Sequence, residues 1–183
     1  MNQQGAPKIP SKKTLRIIQE HLSYDQNTGE LTWVKSVNNR TKEGQEAGFL
    51  NHNGYRRVSI NYTQLYTHQI AWFLTSGKWP TAQIDHINRV KTDNRIENLR
   101  LCTESENRAN RTKFKGITSI FKGVDWQKNC KKYRARICVN KKQRALGHFD
   151  TAREAAEAYN MYVIENNLQD FYPLNDDLSI ETI

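Results

Sequence analysis

The stretch that most constrains this chain runs from Ile84 to Arg108, IDHINRVKTDNRIENLRLCTESENR. Its apolar pattern begins as a short strand carrying Asp85-His86 and breaks into a polar, turn-rich loop. It returns as a second short strand over Leu99 to Cys102. Thr103 and Glu106 have capping-box spacing, a hydroxyl at the N-cap answered by a carboxylate three residues on, which predicts a helix from Glu104. A hard oxygen donor (Asp85), an imidazole (His86) and an amide (Asn107) thus come from three consecutive segments.

Those three groups suit metal-assisted hydrolysis of a phosphodiester. A hard divalent cation such as Mg²⁺ takes oxygen ligands and keeps several waters, so one or two protein ligands suffice. Such an ion polarises a phosphoryl oxygen and stabilises the leaving oxyanion. A neutral His beside it can accept the proton of the attacking water, because its unperturbed pKa lies near working pH. Neighbours on a regular strand point to opposite sides. A strand end or a local twist would have to re-aim Asp85 or His86 for both to reach one site, and the sequence leaves that point open. Taken singly these residues have ordinary readings: a surface Asp-His pair, a turn asparagine at Asn98, a solvated helix position at Asn107. Only their joint spacing singles them out.

The phrases Asp-His-Ile-Asn and Asn-Arg-Ile-x-Asn-Leu-Arg, with Asn98 twelve residues and Asn107 twenty-one residues after His86, resemble the HNH endonucleases, in particular phage and intron-encoded homing enzymes. The resemblance implies a ββα-metal motif in its H-N-N form, since the third letter is Asn107. It implies that Asp85 and Asn107 hold one divalent ion, Mg²⁺ or Mn²⁺, in each active site. His86 would be the general base, and Asn98 would pin the loop that holds it. Asn94 and Arg95 read as active-site neighbours, either substrate-facing or loop-fixing. His68 before an apolar helix, then Trp79-Pro80 and Asp85-His86, resembles the lead-in of the same family, so the likeness covers roughly Tyr24 to Arg111. His68 itself is either a structural histidine bonded to nearby backbone or a phosphate contact beside the site.

Charge points the same way. The chain carries a net +9 over 183 residues, which favours a polyanionic partner. Asn107 to Phe149 holds thirteen Lys and Arg against one acid, Asp125, leaving the remainder slightly acidic. A mean hydropathy of −0.85 is polar, yet four Trp, eight Tyr and six Phe supply core material. No run approaches the ~18 to 20 apolar residues of a membrane span, and Met1 to Lys13 lacks the apolar core of a signal peptide. Cys102, Cys130 and Cys138 contain no C-x-x-C and fall short of a four-ligand zinc site; their odd number suggests reduced thiols in a cytoplasm.

In chain order, Met1 to Ser11 is expected to fray. Leu15, Ile18 and Leu22 at helical spacing predict an amphipathic helix over Lys12 to Leu22. A turn at Tyr24 to Glu30 leads to a strand at Leu31 to Val34, then strands over Ala47 to Asn51, Gly54 to Asn61 and Gln64 to Tyr66. Thr67 is expected to cap a helix from His68 to Ser76 that Gly77 ends. Arg108, Arg111, Lys113, Lys115 and Lys122 follow without an acid between them. They read either as a solvated linker or as one lying along a DNA backbone.

From Ile120 three short strands are expected, Phe121 to Gln127, Tyr133 to Asn140 and Gln143 to Phe149. A helix capped by Thr151 and Glu154 follows. Strand alternation is expected to put Lys122, Trp126, Arg134, Arg136 and Arg144 on one basic, aromatic face; Trp126 has a core position as its alternative. The phrases Phe-Lys-Gly-Val-Asp-Trp, Tyr-Arg-Ala-Arg-Ile, Leu-Gly-His-Phe-Asp-Thr and Glu-Ala-Ala-Glu-Ala-Tyr-Asn resemble the AP2-type DNA-binding domain. That family lays its sheet in the major groove, where Arg reads guanine edges. Asp125 departs from plant members, which usually have Arg there, so their target site does not carry over. The acidic tail from Asp170 is expected to stay off DNA.

The expected fold class is α+β: an HNH domain with N-terminal hairpins over 1–111, a basic linker over 112–119, and an AP2-like sheet-plus-helix domain with the tail over 120–183. The expected function is metal-dependent hydrolysis of duplex DNA, as a site-specific nicking homing endonuclease. A non-catalytic, sequence-specific DNA-binding regulator is the alternative, and an RNA-binding protein a weaker one for want of any RNA-module signature. DNA is the expected partner, engaged by a monomer, with a dimer as the alternative, and without a membrane; the resemblance implies a phage-encoded protein in the host cytoplasm.

Overall fold

Ser11 opens the first helix, α1 (Lys12–His21), by accepting the Thr14 backbone N–H at 3.1 Å. The computed structural model describes residues 7–111, 119–176 and 178. Helix α1 buries Ile18 and runs into a hairpin of β1 (Leu22–Tyr24) and β2 (Leu31–Trp33), with Leu22 opposite Trp33. Next comes a three-stranded antiparallel sheet of β3 (Phe49–Leu50), β4 (Arg56–Ile60) and β5 (Thr63–Tyr66), with β4 central. Its tight turn sets Asn61 and Tyr62 both left-handed, at φ 47° and 60°, as a primed hairpin turn demands.

Helix α2 (Thr67–Ser76) corrects one expectation. Tyr66 is the N-cap and gives no side-chain bond, while Thr67 lies inside the first turn with its hydroxyl engaged elsewhere. Gly77, at φ 71°, returns its N–H to Phe73 at 2.9 Å and stops the helix. One apolar core gathers Ile18, Leu22, Trp33, Val58, Ile70 and Phe73. A two-stranded ribbon of β6 (Gln83–His86) and β7 (Leu99–Cys102) sets Ile84 and Leu99 against Ala71 of α2. The segment between the strands ends in a 3-10 turn at Ile96–Asn98.

The chain divides into two compact units, 1–103 and 104–183. This differs from a first domain ending at 111, because α3 (Glu104–Ala109) packs on the Lys132–Val139 strand of the second unit. Residues 112–118, which include the linker lysines Lys113 and Lys115, lie outside the described residues. The second unit orders its antiparallel strands β10 (Lys142–Phe149), β9 (Lys132–Val139) and β8 (Val124–Gln127). Thr151 and Glu154 close a full capping box on α4 (Ala152–Glu165). Ala155, Ala156, Tyr159 and Val163 of that helix are buried, and the small alanines let it approach the sheet closely.

Gly123, at φ 75°, is required here: a Cβ would collide with the Tyr159 ring and lie 2.6 Å from the Arg136 carbonyl oxygen. Tyr172 and Asn175, early in the acidic tail, are both held by the second unit. Tyr172 is buried and donates its hydroxyl to the Cys138 carbonyl at 3.2 Å, and Asn175 bonds both backbone groups of Lys122. Cys102 is buried, Cys130 and Cys138 are exposed, and all three are free thiols. Among the described residues no helix is long and apolar enough to cross a membrane.

Candidate active site

Strand register decides where the two lead residues go. Asp85 sits opposite Arg100 and His86 opposite Leu99, so adjacent residues take opposite faces of the ribbon. His86 is the last residue of β6, near enough to Asp85 for that charge to act on its ring. On one face, Arg100 brings Nε to 3.0 Å and Nη2 to 2.7 Å of the same oxygen, Asp85 Oδ2. On the other, His86 is 4% exposed and stands among rings: His68 edge-on at 5.2 Å between centroids and Tyr55 at 6.0 Å.

His86 is held by an amide. Its Nε2 lies 3.1 Å from Asn94 Oδ1, and Asn94 Nδ2 donates to Thr67 Oγ1 at 3.0 Å. Thr67 in turn donates to the Arg56 carbonyl at 3.3 Å. Asn94 is 2% exposed and gripped again through its backbone, because the Tyr24 hydroxyl donates to its carbonyl at 2.7 Å. Gly29, at φ 78°, completes the grip: a Cβ there would fall 2.5 Å from Arg95 N and 2.7 Å from the Asn94 carbonyl carbon.

Burial pushes the His86 pKa down, with the Asn94 bond and the Asp85 charge opposing it. Burial pushes His68 down to about 3, helped by the nearby His86. His68 stacks on Tyr66 at 5.2 Å, and its Nδ1 has no hydrogen-bond partner among the described residues, contrary to the backbone bond expected of a structural histidine. Both rings are therefore biased toward the neutral form, the one that can accept a proton.

The loop before β7 is cross-braced. Asn98 donates to Asn88 Oδ1 at 3.0 Å and to the Asp93 carbonyl at 2.8 Å, and its Oδ1 accepts the Asn88 N–H at 2.9 Å. Arg95 is clamped between Asp93 and Glu97, each at 2.8 Å, and holds the Asp93 carboxyl well below the usual range. Of its two readings, loop-fixing is the geometry it adopts. Asn107 lies half-buried on α3, in the second unit.

Asp85 can serve a hard cation. Its carboxylate is a buried oxygen donor with Arg100 on Oδ2, the chemistry of an ion that takes one protein oxygen and completes its shell with water and substrate phosphate. No cluster of three or more His, Cys, Asp or Glu stands ready as an all-protein cage among the described residues. A phosphate-completed site fits the residues; a closed one does not.

In the second unit, register corrects the basic face. Asp125 pairs with Arg134, and Arg136 lies two residues on, so these three share the face opposite the Val124–Ala135 core side. Trp126 pairs with Tyr133 on the core side, ring centroids 4.8 Å apart. Arg144 pairs with Ile137 and belongs to that side too. Lys122 sits in the turn before β8, where its ammonium donates to the Ala109 and Arg111 carbonyls. Arg108 forms an exposed ion pair with Glu104 at 2.8 Å, and Arg111 is exposed.

Sequence reading missed Arg100, Tyr24 and Gly29, and gave Thr67 the wrong task. Arg100 was within the quoted Asn-Leu-Arg phrase and needed only the register to Asp85. Gly29 had a signal in its turn spacing; Tyr24 had none.

Residues 65–109 match the family model described as HNH endonuclease. That segment, about a quarter of the chain, is similar to the HNH endonucleases. HNH nucleases generally use a divalent metal ion. The chain is similar to a solved structure titled "DNA binding and cleavage by the HNH homing endonuclease I-HmuI", at 23% identity and a TM-score of 0.39. The alignment covers 50% of this chain and 51% of that one, so the likeness spans about half of each. No curated protein matches the chain.

Proposed function

We propose that this protein is a metal-dependent endonuclease that nicks duplex DNA, in the manner of a homing enzyme. The observation that carries the reading is His86, buried, biased toward neutrality and fixed by Asn94 within the segment that matches the HNH family. Its imidazole takes the proton from the attacking water, the water oxygen bonds to phosphorus, and the P–O bond to the leaving sugar oxygen breaks. Asn98 keeps the loop, and with it His86, in register during that transfer. Asp85 is the residue proposed to hold the ion, Mg²⁺ or Mn²⁺; Asn107 is assigned the same role by the resemblance alone. A divalent ion there supplies polarisation of a phosphoryl oxygen and charge for the leaving oxyanion.

The second unit is proposed as the DNA-binding module, with an AP2-type use of its sheet resting on the resemblance. Arg134 and Arg136 offer guanidinium edges for guanine or phosphate, and Arg108 and Arg111 offer backbone contacts. One site per chain implies one strand cut per visit by a monomer. The phage origin and host-cytoplasm setting are proposed on the same resemblance.

The test is supercoiled plasmid incubated with Mg²⁺, with Mn²⁺ and with EDTA, wild type beside His86→Ala. Metal-dependent conversion to open circle, reduced at least about 100-fold in the variant with DNA binding retained, is expected. A variant that cuts at the wild-type rate removes His86 as the base; linear product from wild type replaces nicking with paired action.

A further inference from the structure

We infer that Asn94 and Thr67 set the tautomer of His86, placing the ring proton on Nε2 and the proton-accepting lone pair on Nδ1. The inference deepens the proposal that His86 is the base, and rests on it only for its catalytic consequence.

The logic is a count of protons along one chain of bonds. Thr67 has a single hydroxyl hydrogen, and the Arg56 carbonyl lies 3.3 Å from its oxygen to receive it. With that hydrogen committed, the hydroxyl oxygen can only accept from Asn94 at 3.0 Å. Of the two side-chain groups of Asn94, only the amide nitrogen donates, so Nδ2 must face Thr67 and Oδ1 must face the ring. Oδ1 accepts only, so the ring nitrogen 3.1 Å away, Nε2, must carry the hydrogen. Nδ1 is then the basic nitrogen of the neutral ring.

The opposite polarity would require Thr67 to donate toward Asn94. That would leave the Arg56 carbonyl without this hydrogen bond. The amide cannot swing to a compromise, because Tyr24 fixes its backbone carbonyl and the turn at Gly29 packs against the Asn94–Arg95 peptide. Asn94 is therefore a positioning residue. It touches the base rather than the substrate, and its effect is to keep one tautomer populated.

The direct measurement is ¹⁵N NMR of the full-length, ¹⁵N-histidine-labelled protein at alkaline pH, where the imidazole is neutral. Long-range ring couplings and nitrogen shifts distinguish Nε2–H from Nδ1–H. Wild type is expected to show His86 as Nε2–H alone. A wild-type spectrum with the hydrogen on Nδ1, or with both forms mixed, overturns the inference whatever the plasmid assay gives. A clean Nε2–H signal in a protein that fails to cut sinks the nuclease reading and leaves the tautomer assignment standing.

Variants separate tautomer from packing. Asn94→Ala should give a mixed spectrum and lower kcat about 100-fold with KM little changed. Asn94→Asp keeps an acceptor toward Nε2 and should restore the single tautomer. Should Asn94→Ala fail to fold, Thr67→Val removes the hydroxyl that orients the amide and should mix the tautomers by itself. An unmixed Nε2–H signal in a folded Thr67→Val protein removes Thr67 from the relay.

Discussion

Two ribbons in this molecule carry the same cross-strand couple, an aspartate facing an arginine. Asp85 is opposite Arg100 in the first unit, and Asp125 is opposite Arg134 in the second. The chemistry is identical and the setting is not. The side chains of Asp85 and Arg100 are 8% and 16% exposed, and both guanidinium nitrogens fall on one oxygen. Asp125, at 16%, is shared between Arg134 on Oδ2 at 2.9 Å and Arg136 on Oδ1 at 2.8 Å, which are 29% and 44% exposed. A buried pair is a structural commitment, because either charge left alone in low dielectric is costly. An open pair is a surface whose charges stay available for exchange with another anion. Burial, rather than residue type, separates a scaffold pair from an exchangeable one.

The largest effect should come from breaking the buried couple. Arg100→Leu removes the arginine from a buried Asp85 carboxylate and should cost about 3 to 5 kcal/mol, whereas Arg134→Leu should cost under about 1 kcal/mol. Urea unfolding followed separately through Trp33, Trp72 and Trp79 of the first unit and Trp126 of the second reads the two. Equal losses would erase the comparison.

Next come the two glycines at close approaches. Gly123→Ala should cost the second unit about 2 to 3 kcal/mol, since the methyl meets Tyr159 and the Arg136 carbonyl. Gly29→Ala should cost the first unit a similar amount and also lower kcat, because its methyl meets the peptide of Asn94. Should Gly29→Ala cut at full rate while destabilised, the grip on Asn94 is not what sustains catalysis.

A pH effect should come in part from the first unit's buried imidazoles, His68 and His86. His68 sits at about 3 when folded, against an ordinary 6.5. Below 6.5 the unfolded chain takes up a proton that the native ring refuses. Stability is therefore full above 6.5 and falls as pH drops toward 3, by at most about 1.4 kcal/mol per pH unit from this ring. The slope of urea midpoint against pH should flatten in His68→Phe; an unchanged slope assigns the acid sensitivity to another group.

The smallest stability change should be Asp125→Asn, under about 1 kcal/mol, with its effect on DNA instead. Releasing two guanidiniums should tighten binding to random-sequence duplex and steepen its salt dependence. Unaltered salt dependence would mean the face does not meet phosphate.

Much of this was legible in the chain. Element positions followed from period and punctuation: the ribbon around Asp85-His86, the helix from Glu104, and the Thr151–Glu154 box all lie where the residues put them. Faces were harder to read, because a slip of one residue inverts a strand. The register shift between Ala145 and Gly147 is such a slip, and with it Arg144 moves off the face of Arg134 and Arg136. Lys122 belongs to the turn that Gly123 makes and lies outside the strand expected from Phe121. Thr67 has the residue type of a cap, and local rules cannot foresee a loop 27 positions later that takes its hydroxyl instead. Tertiary hydrogen bonds leave no periodicity behind, so the partners of Asn94 became visible only when the chain was folded.

The grip on Asn94 has a consequence for when the proposed activity can begin. The hydroxyl that holds its carbonyl belongs to Tyr24, 70 positions upstream, and closing so long a loop is an event of the completed unit rather than of a local segment. The family-matching segment by itself lacks the hydroxyl that grips Asn94. On the proposed reading, a chain in which this unit has not folded lacks a fixed base, and hydrolysis is coupled to the unit's cooperative folding.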